Sequence, residues 1–126
     1  MNKCTKIEGP AISMIRGDSA TFLFHREDAD GSVITVPPTA IYFTVKESFD
    51  DEDFVIQKTL EDMTIDSAYE YHFTILPDDT NELEFGEYVY DLEVIRDANA
   101  TDKQTIAKGS FVLETEVTYA ANEEGA

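Results

Sequence analysis

The sequence predicts an all-β fold, a two-sheet antiparallel sandwich. Period-two alternation of apolar and polar residues recurs along the chain. It is cleanest in Leu83–Val94 (LEFGEYVYDLEV), where Tyr88, Tyr90, Leu92 and Val94 take one side and Val89, Asp91 and Glu93 the other. The alternating runs are rich in β-branched and aromatic residues, and turn residues separate them every ~8–12 positions. No stretch keeps a helical period. About seven to nine short strands result, the spacing of a sandwich.

Residues 1–10 (MNKCTKIEGP) read as an extended arm closed by Gly9-Pro10, and Ala11–Arg16 as a first short strand. Gly17-Asp18 makes a turn. Ser19–Arg26 then alternates, with Ala20, Phe22 and Phe24 inward and Thr21, Leu23 and His25 outward. Asp28-Ala29-Asp30-Gly31 is a turn in which Gly31 supplies positive φ. Ser32–Val36 is a brief strand ended by Pro37-Pro38, which cannot continue a ladder. In Thr39–Glu47, Ile41, Phe43 and Val45 face inward against Tyr42, Thr44 and Lys46. Phe54–Leu60 follows as an edge strand with Phe54, Ile56 and Lys58 on one face. Tyr69–Leu76 places Tyr71, Phe73 and Ile75 inward, and Leu76–Thr80 is a helical turn. After Leu83–Val94 comes a polar hairpin loop, Asp97–Asp102. The last strand, Lys103–Thr118, has a break near Gly109. The sandwich therefore spans residues 11–118, and residues 119–126 form a short acidic tail.

A chain of 126 residues can bury one sizeable core, and its 42% hydrophobic content supplies one. Nine basic residues against 27 acidic ones give a formal charge of −18. That balance argues against nucleic acid and against anionic membranes as partners. It also makes free copies repel one another. Cys4 is the sole cysteine, so no internal disulfide forms. The N-terminus has no apolar run of a signal peptide, and no segment has the length of a membrane span, so synthesis in the cytoplasm is expected.

Residue patterns that carry chemistry are few. His25 and His72 lie on outward faces, with Glu70 near His72; they read as a shared metal site or as two unrelated surface histidines. A tight site needs three or four placed ligands, so no metal is expected. Asp50-Asp51-Glu52-Asp53 lacks the spacing and glycine of an EF-hand and reads as a solvated acidic loop. Arg16-Gly17-Asp18 spells an integrin-binding tripeptide, but turn chemistry accounts for it. There is no Gly-x-Ser-x-Gly elbow and no glycine-rich phosphate loop, so no catalytic residue, cofactor or enzymatic activity is expected. If the strands starting at Thr39, Glu87 and Lys103 share a sheet, its outer face carries Tyr42, Val89 and Ile95. That row reads as a partner site or as ordinary strand composition.

Gly86-x-Tyr88-x-Tyr90 after a helical turn resembles the tyrosine corner at the start of strand F in immunoglobulin-like sandwiches, which makes Tyr88 and Tyr90 structural residues. The resemblance implies that one of their hydroxyls bonds backbone near Leu76–Thr80. Further segments, in order, are Ile15–Ser19 leading into Phe22-Leu23-Phe24, Asp30-Gly31, Ala40–Lys46, Ile75–Thr80, Gly86–Leu92, Gly109–Leu113 and Val117-Thr118. Together they resemble the immunoglobulin-like domain of tailed-phage structural proteins, such as the N-terminal domain of baseplate upper proteins and small related phage and prophage proteins. The resemblance implies an immunoglobulin-like sandwich in a non-enzymatic virion component, whose partners are other virion proteins or further copies within the particle. It does not separate tail, baseplate, neck and capsid. The competing expectation is a bacterial carbohydrate-binding or adhesin-like module. The missing signal and the absence of Trp count against it, although Tyr42 offers a ring for stacking on a sugar.

Overall fold

The computed structural model describes residues 10–97, 99 and 101–115. The arm before Pro10 with Cys4, the end of the last strand at 116–118 and the tail at 119–126 lie outside the described residues.

The fold is an all-β, immunoglobulin-like two-sheet sandwich. Its strands are β1 (Ile12–Ile15), β2 (Ala20–Phe24), β3 (Ala40–Lys46), β4 (Ile56–Thr59), β5 (Thr64–Ile65), β6 (Tyr71–Ile75), β7 (Gly86–Ile95) and β8 (Lys103–Glu114). A 3₁₀ turn, Leu60–Asp62, follows β4, and a four-residue helix α1, Pro77–Thr80, joins β6 to β7. One sheet has the order β1-β8-β7-β3-β4 and the other β2-β6-β5. The pairs are antiparallel except β1 with β8, which run parallel from Ile12 beside Phe111 to Ile15 beside Glu114. An all-antiparallel sandwich is corrected to that extent. Parallel pairing follows from joining the first and last strands across the whole chain instead of through a hairpin.

The inward residues of the strands meet as expected. Ile41, Val45, Ile75, Val94 and Phe111 are fully buried, and Tyr71, Phe73, Leu92 and Leu113 nearly so. At the centre, Phe43 lies 4.8 Å from Phe73 and 5.6 Å from Tyr90, ring centroid to centroid. Phe24 stacks on Tyr71 at 5.0 Å. These stacked and tilted rings hold the two sheets together without a tryptophan.

Three local expectations change. Ser32–Val36 is not a strand: only Val33 forms an isolated bridge, to Glu27, inside a long β2–β3 connection. Pro37 and Pro38 lie just beyond, and an Asx-type turn at Asp28 holds the amides of Asp30 and Ser32. Phe54 is 52% exposed, because β4 starts only at Ile56. Lys58 does face inward, and its ammonium reaches the Asp79 carboxylate of α1 at 2.8 Å. The irregularity in β8 falls opposite Leu92 and Glu93, at Ile106 and not at Gly109, which pairs regularly with Tyr90.

Candidate functional site

The tyrosines of β7 fasten the two ends of the core strands. Tyr88 Oη donates to the Glu84 carbonyl at 2.7 Å, and Tyr90 Oη donates to the Pro10 carbonyl at 2.7 Å. The first bond stays within the β6–β7 connection but four residues or more beyond Leu76–Thr80, where the bond was expected. Burial raises the pKa of both phenols; the Glu47 and Glu84 charges add to the shift at Tyr88. Each therefore stays a neutral donor at physiological pH. Tyr88→Phe and Tyr90→Phe are each expected to cost about 0.5–1.5 kcal/mol, read as a lower urea midpoint at unchanged slope.

The segment joining β6 to β7 is also fixed from the other side. Thr80 is fully buried, and its Oγ1 accepts from the Gly17 amide at 2.9 Å. Gly17 sits at φ 87°, which a side chain would strain, so the β1–β2 turn needs both residues. Arg16 donates to the Leu83 carbonyl at 3.3 Å, and its guanidinium lies 4.1 Å from the Phe85 ring centroid. The Arg16-Gly17-Asp18 tripeptide is thus folded against its own chain.

Both histidines have their own carboxylates. His25 Nε2 lies 2.5 Å from Glu27, and His72 Nε2 lies 3.0 Å from Asp66. The ligand atoms of Asp66, Glu70 and His72 fall within 4.8 Å of one another. Asp66 is already committed: it accepts from the Ala68 and Glu70 amides, and its hydrogen bond to His72, then that to Glu70, lowers its pKa. His25 and His72 thus bond two separate carboxylates, as two unrelated surface histidines would.

The outer face of the five-stranded sheet carries two of the three expected contact residues. Tyr42 and Val89 are half-buried, but Ile95 is only 9% exposed, which removes it from the surface. The Thr39 amide donates to the Ile95 carbonyl at 2.8 Å and extends the β3–β7 ladder by one bond. Nor do Tyr42 and Val89 form one patch. Tyr42 pairs with Glu93 and Val89 with Lys46, four positions further along β3, so they stand about 13 Å apart.

What lies beside Val89 is a residue that strand patterning does not reveal. Phe49, on the loop between β3 and β4, folds back over the sheet and shares a shallow depression with Thr44, Lys46, Val89 and Asp91. It remains 49% exposed. Lys108 of β8 places its ammonium 4.9 Å from the Phe49 ring centroid. Lys46 donates to the Asp51 carbonyl at 2.8 Å and fixes the acidic loop behind the ring. Lys108 thus covers the ring, while Lys46 lines the same depression with its ammonium turned to the acidic loop.

Asp91 lies in the middle of this face. Burial and the Glu93 charge raise its pKa, while Lys46 and Lys108 pull it down less strongly. A carboxylate with a raised folded pKa binds its proton more readily in the folded state. Its ionised form therefore costs stability above the ordinary carboxylate range, and the cost disappears as pH falls through that range. Asp91→Asn is expected to raise the melting temperature at neutral pH, with the gain vanishing below pH ~4. Paired thermal melts across pH check this.

No family model matches the chain, and no curated protein matches it. Among solved structures it is similar to a chain of the ZIG-8–RIG-5 IG1–IG1 heterodimer in its monoclinic form, at 14% identity and a TM-score of 0.35, over 90% of this chain and 90% of that one. It is similar also to Tim-1, at 11% identity and a TM-score of 0.35, over 90% of this chain and 95% of that one. The immunoglobulin-like assignment rests on the strand order itself: first strand beside last in the larger sheet, and the second strand in the smaller one.

Proposed function

We propose that this chain is a non-enzymatic structural or adaptor component of a tailed-phage particle. It is held there by protein–protein contact through the outer face of the five-stranded sheet, with Phe49 as the anchor. The observation that carries the contact reading is the placement of Phe49. An aromatic ring half exposed on a sheet face, backed by Val89 and buttressed by Lys108, is the kind of residue that dominates binding energy at interfaces. The net charge of −18 makes neutral or basic partners the fitting ones. The segment pattern shared with phage immunoglobulin-like domains supports the particle as the setting.

The test uses Phe49→Ser. Its folding stability should stay within about 0.5 kcal/mol of the parent, since the ring is half exposed. Its contact should weaken by about 2 kcal/mol or more, roughly thirtyfold, as for a central anchor. Particles from a lysate complemented with the variant should then hold far less of it than particles complemented with the parent. Normal incorporation would overturn the role of this face. Tyr42→Lys, on the far side of the same face, is the control for a contact that covers the whole sheet.

A further inference from the structure

A second feature stands apart from the Phe49 face. At the opposite end of the sandwich, a cleft of about 430 Å³ opens between β2 with its following connection and the β7–β8 hairpin. Phe24, Leu92 and Ile106 lend it apolar surface, while Arg26, Glu27 and Asp28 belong to its polar lining. The volume lies within the range of small-ligand sites.

Arg26 is 6% exposed. It continues the inward phase of Phe24, two residues earlier, so the strand pattern carries a guanidinium toward the core. A guanidinium keeps its charge and presents five N–H donors. One of them is matched: Nη1 donates to the Val36 carbonyl at 2.9 Å. Arg26 makes no ion pair and no second side-chain hydrogen bond among the described residues. Glu27 and Asp28 line the same cleft, but Glu27 bonds His25, and Asp28 bonds the amides of Asp30 and Ser32. In a chain with 27 acidic residues, a buried cation without a carboxylate is out of keeping with the surroundings.

We propose that this cleft is a binding site for an apolar group ending in a carboxylate, the apolar part against Leu92, Ile106 and Phe24 and the carboxylate on Arg26. Guanidinium and carboxylate match as a two-pronged pair.

Three isosteric probes test it on the parent chain: hexanoate, 1-hexanol and hexylammonium, each followed by the backbone amide shifts of Leu92, Ile106 and Ala107. The overall charge of −18 favours the ammonium, so the two influences give opposite orders. The proposal expects hexanoate to bind saturably and at least about tenfold more tightly than either other probe. Arg26→Met should bring hexanoate down to the level of hexanol, and Arg26→Lys should give an intermediate value, because the charge survives without the fork. N-acetylleucine distinguishes the source. Tighter binding than hexanoate identifies a polypeptide C-terminus, and weaker binding identifies a free aliphatic acid. No saturable shift with hexanoate, or a preference for hexylammonium, would overturn the proposal and leave Arg26 as a strut beneath Val36.

Discussion

Phe43→Ala should cost about 3–5 kcal/mol of folding free energy, the usual range for deleting a buried aromatic ring. Phe43 is 2% exposed and touches both sheets: Phe73 across the core at 4.8 Å, Phe22 at 6.3 Å, and Tyr90 beside it at 5.6 Å. Its loss removes transfer free energy and leaves a hole that three rings cannot collapse into without leaving their own packing. Against a total stability of about 5–15 kcal/mol for a domain of this kind, that is a large fraction. Urea unfolding should show a much lower midpoint with little change of slope. A loss below about 1 kcal/mol would mean that the aromatic cluster is not the centre of the core.

The second large effect is expected at Thr80. Thr80→Val keeps the shape and removes the hydroxyl that accepts the Gly17 amide. Gly17 is half-buried, so its unmatched amide costs about 1 kcal/mol, the low end of the range for a buried donor. The β1–β2 turn and the β6–β7 connection lose their tie together, so the melting temperature should fall by several degrees. Thr80→Ser, which retains the oxygen, should fall less. Equal losses for the two variants would place the effect in packing and not in the hydrogen bond.

These two positions mark what strand patterning can and cannot reveal. Phe43 was legible because β3 alternates strictly, and a strict alternation over seven residues fixes which side is buried. The same reasoning held for β6 and for β7 as far as Val94. Thr80 was not legible, because its burial comes from a turn 63 residues away in sequence. Ile95 was misplaced because alternation puts it on the outer face, whereas Val94 and Ile95 are both buried at the end of β7. Phe49 was hidden in an acidic loop whose composition speaks for solvation; only the fold brings its ring beside Val89. Arg26 carried a usable signal, the inward phase two residues after Phe24, against the expectation that a charged residue ends a strand facing water.

The particle assignment is tested most directly by quantifying the parent chain in density-purified particles by mass spectrometry. The chain should sediment with the particles in a constant ratio to the other particle proteins across the gradient. It should stay there after a high-salt wash, because an apolar anchor is not screened as surface charges are. Recovery of the chain only at the top of the gradient, apart from the particles, would contradict a structural role.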